Sequence, residues 1–512
     1  MIRLAIDLPG ARMESLPDLR MVTPLTTELT ADYLEHYAVL PLGLAEGRLR
    51  VATWREEVDV QALDDLRLLT GADCELVLLA EAEVRAAIRR VYGGDGITAQ
   101  GVIAGLSIDV RGTGEQDLAL DDLVSLANEA PVVKLVSLLL LEALEARASD
   151  VHIESYTGRL RVRYRVDGVL QDAPSPPAEL TPAIVSRLKI MADLDIAERR
   201  VPQDGRIRLR LQDRPVDVRV STLPTLHGES VVLRLLDQER GRVGLEELGM
   251  GEETLGRFLR VIARPHGIVL ATGPTGSGKT TTLYAAVDRI RTGREKILTV
   301  EDPVEYELAG VPQIPVNEKV GVTFAAALRA LLRQDPDVLM VGEIRDGETA
   351  EIATHAALTG HLVLSTLHTN DAPGALTRLI DLGVAPYLVA STVEAILAQR
   401  LVRVICGRCR EEMRVDGAWQ SAFGAAGAGL TRVYRGAGCE ECRGSGFRGR
   451  IGIYELLVMG EEIRAELLRQ RGAGELREIA RATGMRTLRE DGLRLVRTGI
   501  TTPEEVLRVT AD

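Results

Sequence analysis

Apolar and polar positions follow two different periods along this 512-residue chain. Between Thr26 and Tyr92, helical spacing in "TTELTADYLEHYAV", "VDVQALDDLRLLTG" and "EAEVRAAIRRVYG" alternates with the short strand-like runs "LPLGLA", "RLRVAT" and "CELVLL". This predicts a small α/β module over 1–92. The glycine-rich stretch Gly93–Asp117 has no sustained period and reads as part of a flexible linker over 93–122.

An apolar stretch, Ala130–Ala146, predicts a buried helix. The strands "VHIES", "RLRVRYRVDGVL" and "RIRLRLQDRPVDVRVST" follow, alternating apolar residues with arginines, the pattern of sheets with one wet face. Together they define a middle domain over 123–236. Turn-rich "DQERGRVGLEELGM" then marks a boundary at 237–250.

Beyond it, "GPTGSGKT" at Gly273–Thr280 satisfies G-x-x-x-x-G-K-[ST], between the apolar strand "GIVLAT" and the helical "TTTLYAAVDRI". The glycines let the backbone turn its N–H groups toward phosphates, and the helix begins at the anion. Gly273, Pro274, Thr275, Gly276, Ser277, Gly278, Lys279, Thr280 and Thr281 are therefore expected to cradle ATP. Lys279 would pair with the β and γ phosphates and Thr280 would ligate magnesium.

Two further apolar strands end in acids. "ILTVEDPVEY" delivers Glu301, Asp302 and Glu305, and "DVLMVGEIRD" delivers Glu343. Parallel sheets place active groups at the carboxyl ends of their strands, so these acids are expected beside the phosphate loop. Glu343 has the position of the group that orients or deprotonates an attacking water. Gly342 stands where most phosphate-loop ATPases place a magnesium-holding aspartate. His361 and His368 bracket the strand "LVLSTL", with Thr366, Thr369 and Asn370 near the second.

Cys406, Cys409, Cys439 and Cys442 form two C-x-x-C pairs separated by 29 residues, an arrangement suited to four thiolates around structural Zn2+. The fifth cysteine, Cys74, is expected to be buried in another domain. A net charge of −13 and 3% aromatic residues disfavour a nucleic-acid partner, which needs a basic, aromatic-bearing channel. The richest apolar run is interrupted by Lys134, Glu142 and Glu145, so no membrane span is expected. The N-terminus lacks the clean apolar core of a signal peptide, so a cytoplasmic location is expected.

In this order these elements resemble the type II/type IV secretion and pilus-assembly ATPase family. The resemblance runs from Pro131 onward and rests on "ASDVHIE", "KIMADLDIAERRVPQDGRI", "VDVRVSTLP", "HGESVVLRLLD", the phosphate loop, "TVEDPVEY", "LRQDPDVLMVGEIRD" and "TGHLVLSTLHTND". The wording is most similar to the type II secretion branch, with pilus-assembly members second and nucleic-acid-translocating rings third.

The resemblance implies a multidomain α/β fold. Its parts are a RecA-like P-loop motor over 251–400, a PAS-like middle domain, a zinc subdomain over 401–455 and a helical end over 456–512. It further implies a homo-hexameric ring, with ATP between the middle and motor domains and slow hydrolysis without partners. By motif position Arg206 and Arg219 become phosphate-contacting arginines. Glu301, Asp302 and Glu305 match the acidic box, His361 and His368 the histidine box, and Gly342 is ordinary within the family. Arg329, Arg333 and Arg345 would serve the subunit interface. The catalytic set is thus Glu343, Lys279, Glu301, Arg206, Arg219 and His368.

Residues 1–92 resemble the module that attaches such ATPases to the cytoplasmic domain of a GspL-like inner-membrane protein, with a GspF-like protein in the same platform. No clear copy of the leucine-rich pattern of relatives that bind cyclic di-GMP is present there. Membrane association is expected through partners alone, at the cytoplasmic side of the inner membrane.

Overall fold

The computed structural model describes residues 29, 31–45, 48–55, 58–91, 99, 130–211, 214–237, 243–415 and 417–511. The expected linker lies outside them except for Ala99, as do Thr26–Glu28 of the first expected helix. In the first module β1 (Val39–Ala45) pairs antiparallel with β2 (Arg48–Thr53), and β2 pairs parallel with β3 (Asp73–Leu78). Helices Ala31–Tyr37, Val60–Thr70 and Glu81–Val91 close a core of Leu34, Leu40, Leu49, Leu66 and Ile88. Cys74 is only half-buried there, because it sits on the edge strand, where its thiol donates to the Leu63 carbonyl at 3.7 Å.

The alternating arginine segments form one six-stranded sheet, ordered β6-β5-β4-β9-β8-β7. Its strands are β4 (Ala148–Tyr156), β5 (Arg159–Val166), β6 (Val169–Asp172), β7 (Gln203–Leu211), β8 (Arg214–Thr225) and β9 (Gly228–Asp237), all paired antiparallel. Period-two alternation sends Val151, Val162, Val218 and Leu233 into one core with helices Ala130–Glu145 and Thr181–Met191. On the other face arginines meet acids: Arg163 with Glu154 at 2.6 Å, Arg161 with Asp172 at 2.8 Å, Arg234 with Asp150 at 3.1 Å, and Arg206 with Asp217.

The third sheet is ordered β12-β11-β13-β14-β10-β15-β18. It comprises β10 (Gly267–Thr272), β11 (Ile297–Glu301), β12 (Gln313–Pro315), β13 (Val338–Val341), β14 (Leu362–Leu367), β15 (Val393–Ile405) and, after the β16 (Arg410–Arg414) and β17 (Arg432–Gly436) hairpin, β18 (Phe447–Val458). All pairs are parallel except β15 with β18. Successive residues of one strand face opposite cores: Leu270, Leu298, Leu339 and Val341 enter one, while Val269, Ala271, Val338 and Met340 enter the other. A sheet covered on both faces needs unbroken apolar runs, which is why its strands carry no polar alternation. The sheet continues past residue 400, because β18 folds back on β15 and makes the cysteine hairpin an excursion between two of its strands.

In "TTPEEVLRV", Thr502 caps helix Pro503–Val509 by accepting from Glu505 N, and Pro503 occupies the first turn. Glu505 does not return the bond as a capping box would. Its side chain is 3% exposed and accepts instead from Arg403 at 2.7 Å and from Arg508 at 2.8 Å. Burial opposes its ionisation, but the bonds from Arg508 and Arg403 prevail and hold the carboxyl down at about 2. A depressed carboxyl stabilises the folded state above its unfolded pKa of about 4.3 and loses that contribution as pH falls toward 2. Glu505→Ala leaves two arginines without their acid and is expected to cost about 3–5 kcal/mol, read by denaturant melts at pH 7. The difference between variant and wild type should shrink below pH 4; a constant difference would remove this account.

Among the described residues no helix is long and apolar enough to cross a membrane.

Candidate functional site

β10 ends at Thr272, and the phosphate loop turns from it into helix Lys279–Ile290. Gly276 and Gly278 have φ of +78° and +88°, where a side chain would be strained. Parallel register brings neighbouring strand ends level: Thr272 lies opposite Leu367 of β14 and Ala398 of β15, and Val341 of β13 lies opposite Ser365. Glu343 and His368, just beyond the ends of β13 and β14, and Arg400, within β15 two residues past Ala398, therefore share one edge of the sheet with the loop.

Lys279 is 8% exposed, and its ammonium donates to the carbonyls of Gly273 at 2.8 Å and Pro274 at 3.1 Å. Burial pushes its pKa down to about 8; Glu343 nearby opposes the shift and Arg400 adds to it. Ser277 Oγ is buried without a hydrogen-bond partner among the described residues. Thr280 is exposed in the first turn of the helix. A desolvated cation, an unsatisfied hydroxyl and a helix N-terminus form a donor set suited to phosphate.

Two residues beyond β13, Glu343 meets Arg345 at 2.7 Å through one oxygen and His368 Nε2 at 3.4 Å through the other. Arg345, expected at a subunit interface, is on this acid in its own chain and lies 3.7 Å from Asp302. Thr366 supports the turn by donating to the Gly342 carbonyl at 2.8 Å. A Cβ built on Gly342 would sit 3.3 Å from the Val300 carbonyl and 3.4 Å from Glu301 Cα. An aspartate has no easy room there.

The other expected residues are distributed differently. Glu301 is 2% exposed, because β11 is covered on both faces. It accepts from Tyr284, from Thr299 at 2.6 Å and from Gln313 at 3.0 Å, and none of these partners belongs to the Glu343 cluster. His361 lies at the start of β14, the edge opposite the loop, where its ring contacts the Ala356 carbonyl at 2.9 Å. Arg219 crosses from the middle sheet to Glu305 at 3.1 Å and to the Val304 carbonyl at 3.3 Å. Arg206, held by Asp217, stays on its own sheet. Arg329 pairs with Glu348, and Arg333 donates to the Arg329 carbonyl.

Two further residues at the loop carry no motif in the sequence. Gln399 donates to the Ser277 carbonyl at 2.6 Å and accepts from Thr282 at 2.8 Å, fixing the loop from below. Arg400 is half-buried and donates to Gln399 O and to Asn370. Nothing in "AQRL" at 398–401 advertises a phosphate site; only the strand order puts it beside residues more than 110 positions earlier.

The four cysteine sulfurs lie within 4.8 Å of one another, with pairs at 3.6 and 3.8 Å. Thiolates about 2.3 Å from a tetrahedral zinc are about 3.8 Å apart, so the donor set fits that ion. N–H groups of Gly438, Cys439 and Gly446 point at these sulfurs from 3.1 to 3.3 Å.

The type II/IV secretion system protein family model matches residues 125–508, and the MshEN domain model matches residues 7–98. Type II secretion system protein E of Pseudomonas aeruginosa is 46% identical over 499 residues, 97% of this chain and 99% of that protein. The type IV pilus assembly ATPase PilB of Myxococcus xanthus is 44% identical over 514 residues, 99% of this chain and 89% of that protein. The solved structure of the ATPase DotB of Yersinia pseudotuberculosis shares the fold, with a TM-score of 0.56 at 22% identity, covering 78% of this chain and 96% of that one. With three quarters of its length matched by one family model, the chain belongs to the type II/IV secretion system protein family.

Proposed function

We propose that the chain hydrolyses ATP to power pseudopilus assembly and protein export through a type II secretion system. The observation that carries this is Glu343, presented at a strand end beside Lys279 and the phosphate loop. Its carboxylate orients the water that attacks the γ phosphate and accepts its proton. Arg345 and His368 fix the carboxylate's direction, and Lys279 with the loop N–H groups takes up the charge that develops on the phosphate oxygens. Magnesium, when bound, would neutralise charge on the phosphates; Thr280 would be its protein ligand and Asp302 the nearby acid suited to hold its waters, Gly342 offering no carboxylate of its own.

Arg219 and Arg206 act as the middle domain closes, Arg219 by exchanging Glu305 for phosphate and Arg206 by leaving Asp217. Of the two, Arg219 already spans the domains. The tetracysteine hairpin holds structural zinc. The chain works as a cytoplasmic hexamer that meets the inner membrane through residues 1–92, docked on the cytoplasmic domain of a GspL-like protein with a GspF-like protein alongside. Similarity to both secretion and pilus ATPases is accounted for by a shared motor with different platforms.

Expression of the Lys279→Ala chain in a strain lacking its own copy tests this reading. Export of secreted proteins should stay absent while wild type restores it, and surface pili should be the same in both. Restoration of pili rather than export would reassign the chain to pilus assembly.

A further inference from the structure

Two cations face the phosphate loop, and only one belongs to its motif. Arg400 lies within β15, two residues past Ala398, which pairs with Thr272 at the end of β10, and so stands level with the start of the loop. A Cβ built on Gly273 would lie 3.0 Å from an Arg400 guanidinium nitrogen. The guanidinium is near enough to Lys279 to weaken that ammonium's hold on its proton. Two like charges are thus brought together in a half-buried site, an arrangement that costs free energy until an anion joins them.

Among the described residues Arg400 also has no acid of its own. Its hydrogen bonds go to neutral oxygens: Gln399 O at 3.1 Å, Asn370 O at 2.9 Å and Asn370 Oδ1 at 3.3 Å. The acids nearest to it are engaged elsewhere, Asp371 by Arg477 and Glu455 by the Ala372 N–H at 2.8 Å. Burial, the largest influence, lowers the Arg400 pKa despite Glu455 and Asp371. Most other arginines near this edge, including Arg345 and Arg219, already have carboxylates.

We propose that Arg400 is a second phosphate-binding cation of the nucleotide site, parked on Asn370 until ATP arrives and then turned to its terminal phosphates. This rests on the ATPase reading above and deepens it. Release of Asn370 is the consequence: the same short segment carries His368, which lies on Glu343, so phosphate occupancy is coupled to the group that handles the water. An arginine suits this task because it cannot lose its proton in the half-buried site and its planar fork can leave a carbonyl for two phosphate oxygens.

The test is binding of a fluorescent, non-hydrolysable ATP analogue with magnesium to the full chain, in wild type, Lys279→Ala, Arg400→Gln and Asn370→Ala, with melting temperature measured without nucleotide. A lost charged hydrogen bond to phosphate weakens binding about 10- to 100-fold, the effect expected for Arg400→Gln with an unshifted nucleotide-free melt. Asn370→Ala, which removes only the parking partner, should bind as wild type or more tightly. Arg400→Gln within about threefold of wild type, or Asn370→Ala weakened as much as Arg400→Gln, would make Arg400 a brace of the loop and overturn the proposal. If wild type and Lys279→Ala both fail to bind, the ATPase reading itself fails and the inference with it.

Discussion

A Glu343→Gln chain is expected to bind magnesium and ATP yet release phosphate about 10²- to 10⁴-fold more slowly than wild type, the usual range for losing a positioned general base. The substitution keeps the side chain's shape and its capacity to accept from Arg345, so the β13 turn and the Thr366 support should persist. What disappears is the negative oxygen that takes a proton from water. Affinity should hold or improve, because the carboxylate near Lys279 opposes incoming phosphate. The other acids that end these strands are engaged elsewhere: Glu301 is buried on Tyr284, Thr299 and Gln313, Glu305 is bound to Arg219, and Asp302 lies on the far side of Arg345 at 3.7 Å.

The second large effect is expected at the cysteines. Purified chain should carry one zinc, and Cys442→Ser should lose it, with a melting temperature lower by about 6–12 °C if the local loss is about 3 kcal/mol. Free zinc-finger peptides gain roughly 10–16 kcal/mol from their ion, and the smaller figure here reflects what remains after the hairpin loosens. Phe423, Leu430 and Val433 are buried with Leu493 and Val496, so loss of the ion should loosen the cysteine end of the hairpin first. Gly436 and Gly446 approach so closely that a Cβ on Gly436 would collide with the Gly446 carbonyl, and N–H groups are committed to sulfur rather than to oxygen. Damage should also reach the motor, since β15 and β18, which enclose the hairpin, are strands of its sheet. A metal-free chain that melts with wild type would remove zinc from the account.

Chemistry written in short, contiguous spacing was legible in the sequence. The phosphate loop and the paired cysteines are local patterns whose residues lie close in space because they lie close in the chain. The acid after β13 was legible for a related reason, because a parallel sheet collects active groups at one edge. Glu301 shows where that logic stops. It is the last residue of its strand, whereas Glu343 stands two residues beyond its own, and this offset decides whether a carboxylate enters the sheet's covering layer or the open edge. Arg400 and Gln399 were illegible because strand order, not sequence, puts them at the loop. Glu505 stands at the spacing of a capping-box partner to Thr502, but two arginines bind it more strongly than one backbone N–H does. For Gly342, the close approach of β11 supplies a steric reason for glycine where other phosphate-loop enzymes carry an acid.

Hydrolysis is assigned to the place where the β13 strand end meets the phosphate loop. Magnesium-dependent phosphate release, measured side by side on wild type and Glu343→Gln at saturating ATP, tests it most directly. The account predicts steady turnover by wild type and about 1% of it or less in the variant, with ATP still bound. Turnover by Glu343→Gln within a few-fold of wild type would contradict it.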